Sequence, residues 1–124
     1  AAEEGLVGSH MLFSGLHMPH PTVLRSVREE ILDNGAEFVG NIRRAEGFAL
    51  DESQRLRRTP AGFPTDSPYD ELLRLKEVAL YRPFGDDFLA GDDLLERTLA
   101  EFRKTAPFVQ QLNRAVQYAY EEMM

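Results

Sequence analysis

Apolar residues recur along this chain at two spacings, and each spacing predicts a kind of element. Val23, Leu24, Val27, Ile31 and Leu32 fall three and four residues apart, the period that puts side chains on one face of an α-helix. Pro19-His20-Pro21 precedes them and stops the segment before it, which leaves Thr22 to cap the helix. Asn34-Gly35 reads as the stop signal, because both residues tolerate the left-handed conformation. Phe38, Val39 and Ile42 mark a second helix ending near Gly47. Ser67-Pro68-Tyr69-Asp70 supplies a cap, a first-turn proline and an acid for the helix dipole. It predicts a helix over roughly Pro68 to Lys76. Asp93-Leu94-Leu95-Glu96 forms a capping box ahead of Leu95, Leu99 and Phe102. Ala106-Pro107 is expected to break or kink that helix. Phe108, Leu112, Val116, Tyr120 and Met123 then continue as an amphipathic stripe expected to be core.

Strands are fewer. Leu6 to Met18 is β-leaning, and Gly8 and Gly15 inside it suggest a hairpin turn, a bulge or a close backbone approach. Gly8-Ser9-His10-Met11 also has the look of an expression-tag remnant. Val78 to Arg82 predicts a strand ended by Pro83, and Gln54 to Arg58 a short extended segment. Thr59 to Pro64 is a loop stiffened by two prolines, with Phe63 expected to be mostly buried, and Phe84 to Gly91 is an acidic loop. Strands that do not alternate regularly with helices imply an α+β fold. The expected architecture is a small antiparallel sheet packed against several helices, with a helical C-terminus, in a single domain over residues 1–124.

Charge changes the picture of what the chain could hold. Fourteen Lys and Arg stand against twenty-one Asp and Glu, a formal net charge of −7. That balance speaks against a nucleic-acid-coating protein. There is no cysteine, hence no disulfide, thiolate nucleophile or cysteine zinc site. No apolar run approaches the roughly 20 residues of a membrane span, so no membrane role is expected and a cytoplasmic setting is the default.

Against that acidic background one basic set stands out: Arg55, Arg57, Arg58, Lys76 and Arg82. Arginine suits bidentate recognition of phosphate or carboxylate. An anion site is expected at Arg57, Arg58, Gly62, Lys76 and Arg82, with Arg58 at the end of an extended segment, loop amides around Gly62 and Lys76 closing the next helix. Pairing of these cations with neighbouring acids is the competing reading. Gly62 can supply a left-handed turn residue, but the spacing of a phosphate loop is missing. His17 and His20 are three apart, yet Pro19 and Pro21 exclude the helix that would make them a metal pair, and His10 adds no motif, so no metal and no cofactor is expected. Asp86-Asp87 and Asp92-Asp93 read as caps and solvated charge, and Ser67 as a helix cap.

Leu56-Arg57-Arg58-Thr59-Pro60-Ala61-Gly62-Phe63-Pro64, followed by Pro68 and Asp70-Glu71-Leu72-Leu73-Arg74-Leu75-Lys76, resembles a bacterial family of conserved hypothetical proteins, domain of unknown function 2461. Gly15-Leu16-His17-Met18-Pro19 is similar to that family's glycine-rich strand, and Ala106-Pro107-Phe108 with Leu112-Asn113-Arg114-Ala115 to its closing helix. The resemblance runs from Leu12 to Val116 and implies that the chain is the C-terminal half of the family domain. The absent N-terminal half, or a partner chain, would then cover part of the apolar C-terminal helices. Where the family tends to have His before Pro68, this chain has Ser67, so no role passes to that position. The family implies no reaction. Two functions follow as expectations: a non-catalytic binding or accessory module, or a phosphate- or nucleotide-binding half-site of an enzyme.

Overall fold

The structure, a computed structural model, describes residues 3–7, 11–17 and 19–123. Four strands, β1 (Glu3–Val7), β2 (Met11–Leu16), β3 (Ala49–Leu50) and β4 (Val78–Pro83), form one sheet in the order β1-β2-β4-β3. Every pairing is antiparallel, as the α+β reading requires. The helices are α1 (Pro21–Asp33), α2 (Gly35–Arg44), α3 (Asp70–Leu73), α4 (Asp86–Leu89) and α5 (Leu94–Met123). The stretch read as a tag remnant falls largely outside the described residues, as do His10 and Met18. No helix among the described residues is long and apolar enough to cross a membrane.

Alternation along the strands decides which face meets the helices. Leu12 and Leu16 of β2 and Val78 and Leu80 of β4 turn toward α1, α2 and α5 and join the core. Phe13 and Tyr81 occupy the opposite face, their ring centroids 5.3 Å apart. Of the three roles open to it, Gly15 shows the close backbone approach. Its φ is 146°, and an added Cβ would stand 2.4 Å from the Val78 carbonyl oxygen of the neighbouring strand. On the helical side the apolar stripes meet as their spacing predicts: Val23, Val27 and Ile31 of α1, Phe38 of α2, and Phe108, Leu112, Ala115, Val116 and Ala119 of α5 are all buried.

Local rules failed where tertiary contacts outweigh them. Pro107 does not end a helix; α5 runs through it from Leu94 to Met123. An interior proline costs about 3 kcal/mol. Full burial of Phe108, Leu112 and Val116 just beyond it is worth about 1.5–3 kcal/mol each, so continuity wins. The stripe is not uniform, however. Leu95 and Leu99 are exposed at one end of α5 and Tyr120 at the other. At α1 the cap is His20, whose Nδ1 accepts from the Thr22 amide at 3.1 Å. Helix α3 spans only four residues, because Leu75 and Lys76 leave the helical path to pair with the chain at residues 54–56. The segment Gln54–Arg58 is correspondingly a single bridge at Arg55 rather than a strand, and the acidic loop holds α4.

Asn34-Gly35 ends α1 without any left-handed residue. Asn34 has φ −129° and serves both helices, its amide donating to the Glu30 carbonyl and its carbonyl accepting from the Phe38 amide. The glycine has a tertiary reason instead. A Cβ at Gly35 would lie 2.3 Å from the Tyr69 ring, whereas one at Gly40, in the same helix, meets nothing within 4 Å. Gly35→Ala is therefore expected to destabilise the fold by about 1–3 kcal/mol, and Gly40→Ala to stabilise it by about 0.5–1 kcal/mol. Urea unfolding midpoints check both; equal shifts of one sign would refute the ring contact.

Candidate functional site

The basic residues singled out in the sequence lie on two segments that the fold joins. Arg55 bridges Leu75, the Leu56 amide donates to the Arg74 carbonyl at 2.7 Å, and the Lys76 amide donates to the Gln54 carbonyl at 3.2 Å. The loop that follows turns at Pro60, whose carbonyl accepts from the Phe63 amide, and Gly62 adopts φ 87°. The Thr59 hydroxyl donates to the Asp70 carboxylate and ties the loop to α3. Phe63 is half-buried against the core, less than the sequence led us to expect. Ser67 is not the helix cap expected of it: α3 starts at Asp70 with Tyr69 at the N-cap position and no side-chain cap, and the Ser67 Oγ instead accepts from the Tyr69 amide at 3.1 Å in the preceding turn.

Ion pairing divides the set. Arg55 is taken by Glu52 at 2.9 Å and Glu71 at 3.8 Å, and Arg74 by Asp70 at 2.7 Å. Arg82 pairs with Glu101 at 3.1 Å and lies over the Phe88 ring. It stands near the far end of β4 from Lys76, about 13 Å along the strand from Val78, so the structure separates it from the other basic residues. Arg57, Arg58 and Lys76 are exposed and have no carboxylate partner among the described residues. Lys76 lies beyond α3 and takes nothing from a helix dipole.

Arg28 joins this corner, and sequence reasoning missed it. From the edge of the buried stripe of α1 its Nη2 donates to the Leu75 carbonyl at 3.0 Å. The side chain is half-buried, no carboxylate pairs with it among the described residues, and burial lowers its pKa. The available signal was slight: an arginine adjoining Val27 and three residues before Ile31 cannot stand fully clear of the core.

A second polar region lies where α1, α2 and α5 meet. Gln111 is 1% exposed. Its Nε2 donates to Glu30 Oε2 at 2.9 Å, and its Oε1 accepts from Asn41 Nδ2 at 2.8 Å. Asn41 also donates to the Pro107 carbonyl at 3.3 Å. Arg114 donates to both Glu37 carboxylate oxygens, and that hydrogen bonding raises its pKa. His17 sits 3.5 Å from Glu77, and His20 is occupied as a cap. No three His, Cys, Asp or Glu side chains among the described residues could together hold a metal ion.

The family profile described as "Conserved hypothetical protein (DUF2461)" matches residues 7–110, and the chain belongs to that family. No curated protein and no solved structure matches it.

The Gln111 network makes a direct stability test. Gln111→Leu leaves the Asn41 amide with only its longer bond to the Pro107 carbonyl and removes a donor from Glu30, for an expected loss of about 1–3 kcal/mol. Chemical denaturation should show that loss; a variant as stable as the parent would mean the buried amide is dispensable.

Proposed function

We propose that this DUF2461 chain is a non-catalytic binding module whose ligand is a small anion, inorganic phosphate or the phosphate group of a nucleotide. The ligand is held where the segments around Arg55 and Leu75 meet. The observation that carries this reading is Arg28. A half-buried guanidinium bonded to a carbonyl and matched by no carboxylate holds charge that an anion would balance. Lys76 follows the residue whose carbonyl anchors Arg28, and Arg57 and Arg58 extend from the paired segment. In a chain of net charge −7, cations left without acids in one place are the exception. Gly62, four residues after Arg58, turns the chain with open space about it.

Binding is favoured over chemistry by the nature of the groups. Arginine and lysine remain charged at neutral pH, so they hold and orient an anion but exchange no proton with it. An enzymatic half-site would need its acid or base from elsewhere.

Thermal unfolding in inorganic phosphate at constant ionic strength tests the proposal. At phosphate tenfold above its dissociation constant, the parent should gain about 1.4 kcal/mol, a rise of roughly 5 °C. The double variant Arg58→Ala/Lys76→Ala and the single variant Arg28→Met should lose that rise. Arg43→Ala/Arg44→Ala, which removes two cations of α2, should keep it. An unresponsive parent, or an equal response in all variants, would overturn the reading.

A further inference from the structure

Ser26, Glu29, Glu30 and Asp33 repeat at intervals of three and four and so share one face of α1. Across from that face stand Arg114 and Tyr118 of α5, and the two helices flank a cavity of about 360 Å³ that opens to solvent. The volume falls in the range of small-molecule sites.

Three observations bear on what the cavity takes. The first is an unpartnered hydroxyl. Ser26 is 5% exposed and lines the cavity, and it has no hydrogen-bond partner among the described residues. A helical serine can bond back to the preceding turn; this one does not, which leaves its Oγ free to accept a donor from the cavity.

The second is a carboxylate fixed in advance. Gln111, Asn34 and Arg114 all approach Glu30 through Oε2, at 2.9, 3.0 and 3.6 Å. The other carboxylate oxygen carries none of these contacts. Gln111 is itself locked by Asn41. Glu30 therefore needs no reordering to receive a donor.

The third is charge. Glu29 is shared with Arg25 at 3.4 Å, and Arg114 is engaged by Glu37 at 2.9 Å. Asp33 has no ion-pair partner among the described residues. Four carboxylates thus face two guanidinium groups, and two negative charges are left over.

We propose that this cavity binds a small organic diamine as its dication, with one ammonium group donating to Glu30 Oε1 and Ser26 Oγ. An ammonium group carries three donors, enough for both acceptors. The alkyl chain lies along Ala115, and the Tyr118 ring adds a cation–π contribution to the charged end beside it. The second ammonium answers Glu29 and Asp33, which lie one turn apart on α1. A bare divalent metal ion fits less well, because no group of three potential ligands is positioned to hold one among the described residues. The site is separate from the anion site in residues and in sign of charge.

Isothermal titration calorimetry of the full chain with putrescine, at constant ionic strength, tests this. Butylamine and magnesium chloride serve as comparators. Putrescine should bind saturably and one-to-one, with butylamine at least about tenfold weaker for want of the second charge. Asp33→Asn and Ser26→Ala should each weaken putrescine by about three- to tenfold, and Glu96→Gln should leave it unchanged. Asp33 is exposed and the Ser26 hydroxyl is unbonded, so both variants should unfold at the parent's urea midpoint or above. No saturable heat, magnesium binding as tightly as putrescine, or undiminished binding by both cavity variants would overturn the proposal.

Discussion

One stretch of α5, from Thr105 to Leu112, fixes the position of nearly everything else. Thr105 accepts the Ser14 hydroxyl at 3.0 Å and so pins the helix to the middle of β2. One turn on, Phe108 meets Phe38 of α2 with ring centroids 5.6 Å apart. Gln111 then reaches α1 through Glu30 and α2 through Asn41. These residues recur every three positions, so one helical face touches the sheet and both partner helices in turn. Pro107 lies inside this stretch. The helix tolerates it because contacts on both sides hold the backbone where it is; the Thr105 hydroxyl also donates to the Phe102 carbonyl in the turn before.

The sheet imposes the second constraint. Its central strands β2 and β4 must bury one face under α5, and they carry the alternation to do so. The chain between β3 and β4 has no such partner. It folds back on itself through one bridge and a proline-stiffened loop. Short elements of this kind are held by side chains: Arg74 on Asp70, Thr59 on Asp70, and Arg28 on the Leu75 carbonyl. Asp70 therefore anchors both the loop and the end of α3. Arg57, Arg58 and Lys76 serve neither in this anchoring nor in an ion pair among the described residues.

Features set by neighbours in sequence were legible before the structure. The stripes of α1 and of the second half of α5, the strands at Leu12–Leu16 and Val78–Tyr81, and the antiparallel α+β class all follow from spacing and from proline placement. Features set across long separations were not. Gly35 looks like a stop signal, but its reason is the ring of Tyr69. Leu75 looks like the next turn of a helix, but the chain at residues 54–56 draws it out. Of the residues proposed for an anion site, the sequence could group Arg57, Arg58 and Lys76 because loop and helix signals bracket them. It grouped Arg82 with them on charge alone, and Glu101 and Phe88 hold that residue elsewhere. Arg28 carried only the slight signal of its place beside the apolar stripe, and Gln111 none, since each is defined by a partner far away in the chain.

Helix α1 carries charge of both signs toward different neighbours. Arg28 and Glu30 are two residues apart, about 200° around the helix. The first reaches toward Leu75, the second toward Gln111. Each is held by a bond to another element, so a rotation of α1 that improved one contact would break the other. The helix is thereby fixed in azimuth as well as in depth, which a stripe of Val23, Val27 and Ile31 alone would not achieve, because apolar packing tolerates small rotations that directional hydrogen bonds do not. Opposite faces also keep the opposite charges from neutralising one another. A guanidinium and a carboxylate on the same face, three or four residues apart, would pair with each other. Two residues apart they cannot meet, so Arg28 stays with the Leu75 carbonyl and Glu30 with Gln111 and Arg114.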